Sequence, residues 1–209
     1  MINLYLIRHG RQCSRLCNVD VELAAEGRKQ AELLRDRMKH YEIDALYSSD
    51  LIRARQTAAI LNEALQLPHI IKEGIKEISF GLLEGNSDEF INEHFSEFKK
   101  QQKMLMDDIP YPEGENGRAV YQRAMPVIQE VINSGSKNVA IVTHGGTIRV
   151  LLAALVGKNQ ANRFLFGLSL ENTSITHLQY DKELDRFYLE RFNDFAHLEG
   201  HPELLRKNI

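Results

Sequence analysis

The sequence predicts an α/β protein, a three-layer sandwich in which helices cover both faces of a mostly parallel central sheet. Short apolar runs typical of buried strands alternate with segments whose apolar residues recur at helical spacing. Two of these runs, residues 3–7 and 139–143, lead directly into His9 and His144. Ligands of such sheets bind beyond the carboxyl ends of the strands. If the two strands are parallel neighbours, both histidines lie at one functional edge.

The predicted elements follow in chain order. Helices are expected over 25–38, 51–64, 88–106, about 120–131 and from residue 144 through 156; strands are expected over 3–7, 44–47, 139–143, 174–180 and 186–192. The last two strands flank a polar turn and predict a hairpin. Ser49 or Asp50 is the expected N-cap of the second helix. Pro126 is expected to bend or restart the fourth.

Length and charge restrict the class of protein. The chain has 209 residues, enough for one α/β domain or one domain with an inserted subdomain. Its net charge of -3 disfavours nucleic acid as a main partner, because a phosphate backbone attracts a basic excess. No apolar run approaches the ~18 residues that indicate a membrane span, and the charged residues 8–10 come too early for a signal peptide. We therefore expect a cytoplasmic protein with no membrane partner.

Cysteine and metal chemistry are not predicted. Cys13 and Cys17 are too few for a disulfide framework. A cysteine-based phosphatase would need an arginine six residues after its cysteine, where this chain has Val19 and Leu23. The histidines show no zinc-ligand spacing and there is no P-loop motif. We expect no metal and no cofactor.

The two histidine–glycine turns are the strongest functional signal. One isolated histidine after a strand is more often a loop residue than a ligand, but two after two buried strands are harder to dismiss. Arg8 precedes His9, and a guanidinium presents a planar fork that matches phosphate oxygens. Gly10 and Gly145 are expected to let a ligand approach the backbone closely. The pattern predicts a positive, partly enclosed pocket.

Seven motifs occur in a fixed order over nearly the whole chain. They are LIRHG (6–10), LAAEGRKQA (23–31), YSSDLIRARQTA (47–58), KEISFGLLEG (76–85), PEGEN (112–116), VTHGG (142–146) and ENTSIT (171–176). With these motifs the chain resembles the histidine phosphatase superfamily, also called the phosphoglycerate mutase-like family. The resemblance implies one histidine phosphatase domain over residues 1–209, with a small helical cap insertion at about 86–111 that sets substrate choice.

The resemblance also implies catalytic roles. His9 would be the nucleophile that becomes phosphohistidine, which requires a neutral imidazole with one bare nitrogen and the other held, we expect, by a backbone carbonyl. Arg8, Arg53 and a protonated His144 would surround the phosphoryl oxygens without a metal. The family's phosphate-binding arginine falls on Arg53. Arg55 points about 200° away on an ideal helix and is expected to be structural.

The general acid would be Glu77 or Glu84. Alignment of the 76–85 block by its Phe-Gly and Glu-Gly pairs places the acid at Glu77. Glu84 is the second candidate, although a loop carboxylate that pairs or caps is its simpler interpretation. Such an acid gives the leaving alkoxide its proton and then helps activate the attacking water.

The segment after residue 10 departs from the family pattern. An asparagine near the phosphate would be Asn18, or Ser14 could substitute for it. Arg11 and Arg15 either add positive charge that favours a substrate with a second anionic group or are solvated loop residues. The phenylalanines of the expected cap are more typical of inward packing than of a pocket wall.

Three functions are weighed. The first is a metal-independent phosphomonoesterase that acts on a small phosphorylated metabolite through a phosphohistidine on His9. The second is cofactor-dependent phosphoryl transfer of the phosphoglycerate mutase type, whose members usually carry longer insertions and a more elaborate cap. The third is a non-catalytic binder of phosphorylated ligands, against which the complete set of chemical groups counts. The sequence leaves open the substrate and the oligomeric state.

Overall fold

One six-stranded sheet organises the chain, whose computed structural model describes residues 1–167 and 169–206. The strands are β1 (Ile2–Arg8), β2 (Ala45–Ser48), β3 (His69–Ile71), β4 (Asn138–Thr143), β5 (Ile175–Asp181) and β6 (Arg186–Asp194). Their order across the sheet is β3-β2-β4-β1-β5-β6. Strands β1 to β4 run parallel, β5 is antiparallel to β1, and β6 is antiparallel to β5. The mostly parallel sheet and the terminal hairpin are confirmed.

Helices cover both faces of this sheet, as the three-layer prediction requires. They are α1 (Ala25–Met38), α2 (Ile52–Leu65), α3 (Asp88–His94), α4 (Ser96–Lys103), α5 (Gly117–Asn133) and α6 (Gly145–Leu155). Alternate β1 residues divide the core: Tyr5 and Ile7 pack with α1 and α2, whereas Leu4 and Leu6 pack with α5 and α6. Each such buried side chain contributes about 1.5–3 kcal/mol through removal from water. No helix in the described part of the chain is both long and apolar enough to span a membrane.

The pairing of β1 with β4 determines where the histidines lie. The strands are parallel and in register, with Arg8 opposite Thr143. Beyond the last pair, the N–H of His9 donates to the carbonyl of Thr143 at 3.0 Å. His144 follows Thr143 directly, so both histidines leave neighbouring strands at the same edge, as predicted.

The start of α2 differs from the prediction. The helix begins at Ile52 without a side-chain cap from the residue before it, so neither Ser49 nor Asp50 is its N-cap. The hydroxyl of Ser49 lies 2.6 Å from a ring nitrogen of His144 instead. The carboxylate of Asp20, from a distant loop, accepts the N–H of Ile52 at 2.8 Å. A tertiary contact therefore supplies the acceptor that local sequence was expected to provide.

Residues 88–106 form two short helices rather than the single predicted one. Phe95 separates α3 from α4. The hydroxyl of Ser87 accepts the N–H of Phe90 and caps α3. Phe95 and Phe98 pack against a buried apolar cluster near Tyr111. The break at Phe95 accompanies this packing, which turns these two rings inward as expected. Phe90 differs from the expectation, because it is 41 % exposed.

Pro126 does not divide α5. Gly117–Asn133 forms one continuous helix with Pro126 inside it, so the predicted restart is wrong. The helix buries Val120, Ala124 and Ile128 on one face against the rest of the protein. An internal proline costs a helix about 3 kcal/mol. Burial of several large side chains at about 1.5–3 kcal/mol each outweighs that cost.

Candidate active site

The two imidazoles meet at the carboxyl edge of β1 and β4. The ring centroids of His9 and His144 lie 5.0 Å apart, and the ring planes are inclined by 53°. His9 is 5 % exposed and His144 is fully buried. The convergence predicted from strand order is therefore present.

Hydrogen bonds fix the orientation of the His9 ring. Nδ1 lies 2.7 Å from the carbonyl oxygen of Gly10, and Nε2 accepts a hydrogen bond from Nε of Arg53 at 3.3 Å. Because a carbonyl only accepts, Nδ1 carries the proton and Nε2 keeps its lone pair. Burial and the charges of Arg53 and Arg8 hold the pKa of His9 well below its usual value. The ring is neutral, with the bare nitrogen that a nucleophile needs.

Gly10 has a structural role that differs from the expected one. A Cβ atom at Gly10 would lie 2.6 Å from the carbonyl oxygen of Gly27 in α1, so glycine allows this close approach of backbones. The hydroxyl of Thr57 accepts the N–H of Gly10 at 3.0 Å and donates to the carbonyl of Arg53 at 2.7 Å. Thr57, which was not singled out from its motif, thus holds the peptide that orients His9.

A short chain of polar contacts positions Arg53. The side chain is 2 % exposed, and burial lowers its pKa. Its Nη2 donates to Oδ1 of Asn18 at 2.7 Å, and Nδ2 of Asn18 donates to Oε1 of Glu84 at 2.9 Å. Oε1 of Glu84 also accepts the N–H of Phe80 at 2.8 Å. Asn18 therefore lies next to the arginine that contacts His9. Glu84 joins Asn18 to the loop at Phe80 through hydrogen bonds.

Four other candidates lie away from the histidines. The hydrogen bonds of Ser14 stay within its own loop, and none joins it to the paired rings in the described chain. Arg11 donates to two backbone carbonyls of the C-terminal segment, at 2.8 and 3.1 Å. Arg15 and Arg55 are exposed. The structure thus offers no support for Ser14 as a phosphate ligand and separates Arg11 from the site.

His144 is held by one hydrogen bond. Its Nε2 lies 2.6 Å from the buried hydroxyl of Ser49. Its Nδ1 is buried without a hydrogen-bond partner among the described residues. Burial, followed by the nearby His9 and Arg53, holds the pKa of His144 well below its usual value. This arrangement does not favour the expected protonated His144, because burial and neighbouring cations both oppose a charge on the ring.

Glu77 lies at the first turn of α6. Its Oε1 accepts the N–H of Ile78 at 2.9 Å and that of Thr147 at 3.2 Å, and its Oε2 accepts the N–H of Gly146 at 3.2 Å. A Cβ atom at Gly146 would lie 2.5 Å from Oε1 of Glu77. A Cβ at Gly145 would meet only Arg8, at 3.6 Å or more. The second glycine of the motif therefore makes room for the carboxylate, a role that sequence reasoning missed.

Arg123 holds the loop that carries Glu77. Its guanidinium donates to the backbone carbonyls of Lys76 at 2.9 Å and Glu77 at 3.0 Å. It also forms an ion pair with Glu115 at 2.8 Å. The hydroxyl of Thr147 donates to the same carbonyl of Lys76 at 2.6 Å. These contacts give the PEGEN motif, which contains Glu115, a positioning role.

The ENTSIT motif secures the turn around His9 from the other side. The amide of Asn172 donates to the carbonyl of His9 at 2.9 Å, and the N–H of Thr173 donates to that of Arg8 at 2.9 Å. Glu171 accepts the N–H of Asn172 at 2.8 Å. The turn at His9 is therefore tied to the loop before β5.

A cavity of about 220 Å³ lies at the residues that adjoin the two histidines in the chain. Its charged wall residues are Arg8, Glu77, Arg149, Arg163 and Arg206. Neither histidine forms part of this wall, but their chain neighbours Arg8 and Gly145 do. Burial, with help from Arg206, lowers the pKa of Arg8 to about 9. Within residues 1–167 and 169–206, no three His, Cys, Asp or Glu side chains are grouped to hold a metal ion.

The fold and the site together define a class of α/β proteins with paired histidines at the carboxyl edge of a mostly parallel sheet. The chain belongs to the histidine phosphatase superfamily (branch 1), whose family model matches residues 4–194. The resemblance inferred from the seven motifs is thus confirmed. The superfamily membership makes the protein a phosphatase or a mutase-like enzyme.

Relatives of both kinds are similar to this chain. The probable phosphoglycerate mutase GpmB of Yersinia pestis (strain Pestoides F) is 28% identical over 210 residues, covering 95% of this chain and 96% of the relative. A mycobacterial glucosyl-3-phosphoglycerate phosphatase, solved with inorganic phosphate, is 26% identical, with a TM-score of 0.84. The match covers 94% of this chain and 99% of the phosphatase. Bacillus stearothermophilus YhfR is 27% identical to this chain, with a TM-score of 0.82. The match covers 95% of this chain and 100% of YhfR.

Proposed function

We propose that the protein is a metal-independent phosphomonoesterase that transfers the phosphoryl group of a small phosphorylated metabolite first to His9 and then to water. The observation that carries the proposal is the state of the His9 ring. Its Nδ1 is held by the Gly10 carbonyl while Nε2 stays neutral beside Arg53. A nitrogen nucleophile needs this combination of a fixed ring and an available lone pair.

The first step forms an Nε2–P bond as the P–O bond to the leaving group breaks. Before this attack, Nε of Arg53 turns from Nε2 of His9 toward a phosphoryl oxygen of the bound substrate, which frees the Nε2 lone pair, and Arg8 stabilises a second oxygen. Protonated Glu77 gives its proton to the leaving alkoxide. In the second step the Glu77 carboxylate takes a proton from water as the water oxygen bonds to phosphorus. The Nε2–P bond breaks, which releases inorganic phosphate and restores His9.

His144 supplies a further donor in this proposal. In this mechanism the hydroxyl of Ser49, 2.6 Å from Nε2, donates to that nitrogen, and the ring proton is on Nδ1. Nδ1 is the buried atom without a protein partner, and its N–H would donate to a phosphoryl oxygen. A neutral donor suits this position because two arginines already supply positive charge.

We also propose that the chain acts as one domain with residues 86–111 as a cap over the site. The ring centroid of Tyr111 lies 5.3 Å from that of Phe98 and 4.8 Å from that of Phe80. Tyr111 and Phe80 both line the cavity. Within the described chain, Tyr111 is the one residue of this segment in the wall, so the cap contributes shape and apolar surface rather than charge.

The test of the phosphatase proposal is turnover of p-nitrophenyl phosphate by the wild type and by His9→Ala. The variant should lose about 10⁴-fold or more in kcat/KM. The wild type, quenched in alkali during turnover, should carry one phosphoryl group on His9 by mass spectrometry, and the variant should not. Arg55→Gln, at an exposed residue away from the cavity, is the control. Turnover that survives in His9→Ala would remove His9 as the nucleophile.

Mutase activity is the second candidate, favoured by the name of the Yersinia relative. The cycle would differ only in the acceptor, which would be a second hydroxyl instead of water. Incubation with 3-phosphoglycerate separates the two functions. Release of inorganic phosphate supports hydrolysis, whereas conversion to 2-phosphoglycerate without phosphate release supports the mutase.

A further inference from the structure

We propose that the cavity contains a second anion-binding subsite, formed by Arg149, Arg163 and Arg206, which binds a carboxylate or a second phosphate group of the substrate. The inference rests on the proposed phosphatase function, because it concerns the part of the substrate beyond the transferred phosphoryl group. It names the substrate as a phosphomonoester with two separate anionic groups. The subsite is built from residues that follow His144 in the chain.

The charges of the wall exceed what one phosphoryl group neutralises. Four arginines and one carboxylate line the cavity. Arg163 forms an ion pair with Asp108 at 2.6 Å, whereas Arg8, Arg149 and Arg206 pair with no carboxylate of the described chain. If Arg8 contacts the phosphoryl group together with the nearby Arg53, the guanidinium groups of Arg149 and Arg206 remain, with Glu77 as the one carboxylate in the wall. Both arginines are half-buried, and an anion between them would offset the repulsion of their like charges.

Arg149 is fixed by the backbone in the wall. It lies one helical turn after Gly145 on α6, and both line the cavity. Its Nε and Nη2 donate to the carbonyls of Phe166 at 3.2 Å and Gly167 at 2.8 Å. Burial lowers the pKa of Arg149, because the charged guanidinium loses part of its hydration in the wall. Carbonyl oxygens orient this guanidinium but leave its charge available to a ligand.

Arg163 provides a buried donor without a partner. The side chain is 3 % exposed, and its Nη2 makes no hydrogen bond among the described residues. Nη1 is held by Asp108 and by the carbonyl of Gln160, and the guanidinium lies 4.4 Å from the ring centroid of Phe164. A rigid guanidinium with one unsatisfied nitrogen in a cavity wall fits the planar oxygens of an anion.

Arg206 reaches the cavity through a strap of the chain, residues 201–206. Gln30 donates to the carbonyl of Leu204 at 2.8 Å, and Arg11 donates to the same oxygen at 2.8 Å. Glu171 accepts the N–H of Arg206 itself at 3.0 Å. Three anchors from separate parts of the fold thus bring one cationic side chain to the wall. Arg11 serves the second anion indirectly, by holding this strap.

The experiment compares binding of three small phosphoesters. Glycerol 3-phosphate has one anionic group, 3-phosphoglycerate adds a carboxylate, and propane-1,3-diol bisphosphate adds a phosphate. Each is measured as a competitive inhibitor of p-nitrophenyl phosphate hydrolysis, so none needs to be a good substrate. In the wild type, at least one of the two compounds with a second anionic group should bind about 10-fold or more tightly than glycerol 3-phosphate. Tighter binding of 3-phosphoglycerate would indicate that the subsite prefers a carboxylate, and tighter binding of propane-1,3-diol bisphosphate would indicate a phosphate.

Substitutions of Arg206 and Arg149 test whether the tighter binding of compounds with a second anionic group depends on the proposed subsite. Arg206→Gln and Arg149→Gln should each reduce the ratio of inhibition constants to about threefold or less, whatever they do to turnover, and Arg206→Lys should restore part of it. Arg55→Gln should leave the ratio at its wild-type value. Equal inhibition by all three compounds in the wild type, or an unchanged ratio in Arg206→Gln, overturns the subsite. Failure of the phosphatase function itself would instead appear as turnover of p-nitrophenyl phosphate that does not depend on His9.

Discussion

At the scale of single residues, each site histidine commits one ring nitrogen to a fixed protein partner. His9 is held through Nδ1 by the Gly10 carbonyl, and His144 through Nε2 by the Ser49 hydroxyl. In the proposed mechanism, the opposite nitrogens, Nε2 of His9 and Nδ1 of His144, contact the phosphoryl group. Such supporting bonds determine ring orientation and tautomer.

Glu77 and Glu84 can be separated by the leaving group. Glu77→Gln should lower kcat/KM for glycerol 3-phosphate by about 10²–10⁴-fold, because an alkoxide needs a proton, and affect p-nitrophenyl phosphate far less. Glu84→Gln, which loosens the bond to Asn18, should reduce both substrates by similar factors. Steady-state kinetics on both substrates gives the ratio. Equal losses in Glu77→Gln would remove Glu77 from the acid role.

Ser49→Ala tests the orientation of His144. Loss of the hydroxyl should lower kcat for p-nitrophenyl phosphate by about 10-fold with a smaller change in KM, because the ring is no longer held in its productive tautomer. Ser48→Ala is the control, since that buried hydroxyl donates to the carbonyl of Ser49 and does not contact His144. Equal kinetic effects of the two substitutions would argue against the role of Ser49.

At the scale of elements, the first turn of α6 joins the parts of the site. His144 precedes the helix, Gly145 and Arg149 line the cavity, and the amides of Gly146 and Thr147 bind Glu77. The free N–H groups of a helix start are natural partners for a carboxylate. The close contact between α6 and the loop before residue 78 depends on the absence of a side chain at Gly146.

The adjacent glycines of this turn give a matched pair of substitutions. Gly146→Ala should destabilise the protein by about 1–3 kcal/mol, because the added methyl group would lie 2.5 Å from Glu77 Oε1 and 2.7 Å from a side-chain carbon of Ile78. Gly145→Ala should cost no stability, since its nearest contact is an ordinary 3.6 Å. Thermal unfolding of both variants measures the difference. An equal shift in the unfolding midpoints would contradict this assignment.

The sequence predicted the parts of the site that are carried by strand ends. His9 and His144 follow buried strands, so topology alone brings them together. Local spacing predicts Ser49 or Asp50 as a helix cap, because it cannot reveal a contact between Ser49 and a histidine far along the chain. Arg206 gave no sequence signal at all. Its position depends on hydrogen bonds from Gln30 and other distant residues, which only the folded path of the strap creates.

At the scale of the whole molecule, buried neutral histidines link stability to pH. Burial lowers the pKa values of His9, His69, His144, His177 and His197, the last to about 4. Between these folded-state values and the unfolded value of about 6.5, the unfolded chain binds more protons than the folded one. Stability is therefore complete above about pH 6.5 and falls as the pH decreases toward 4.

His197 tests this linkage apart from the proposed catalytic residues. By about pH 5, its protonation in the unfolded chain should cost roughly 2 kcal/mol. His197→Gln should remove that part of the pH dependence, measured by urea unfolding at about pH 7.5 and pH 5. The ion pair that lowers the pKa of Asp194 to about 2 loses its stabilisation only below about pH 4, outside this interval. An unchanged pH dependence in His197→Gln would show that His197 does not titrate in this way.

The central position of β1 has a kinetic consequence. This first strand has β4 and β5 as its two neighbours, and both lie more than half a chain length away. Contacts between such distant segments form slowly, because large loops must close, with a loss of chain entropy, before the paired strands stabilise each other. During refolding from denaturant, helical signals should therefore recover early, while hydrolysis of p-nitrophenyl phosphate should return only with the last cooperative phase.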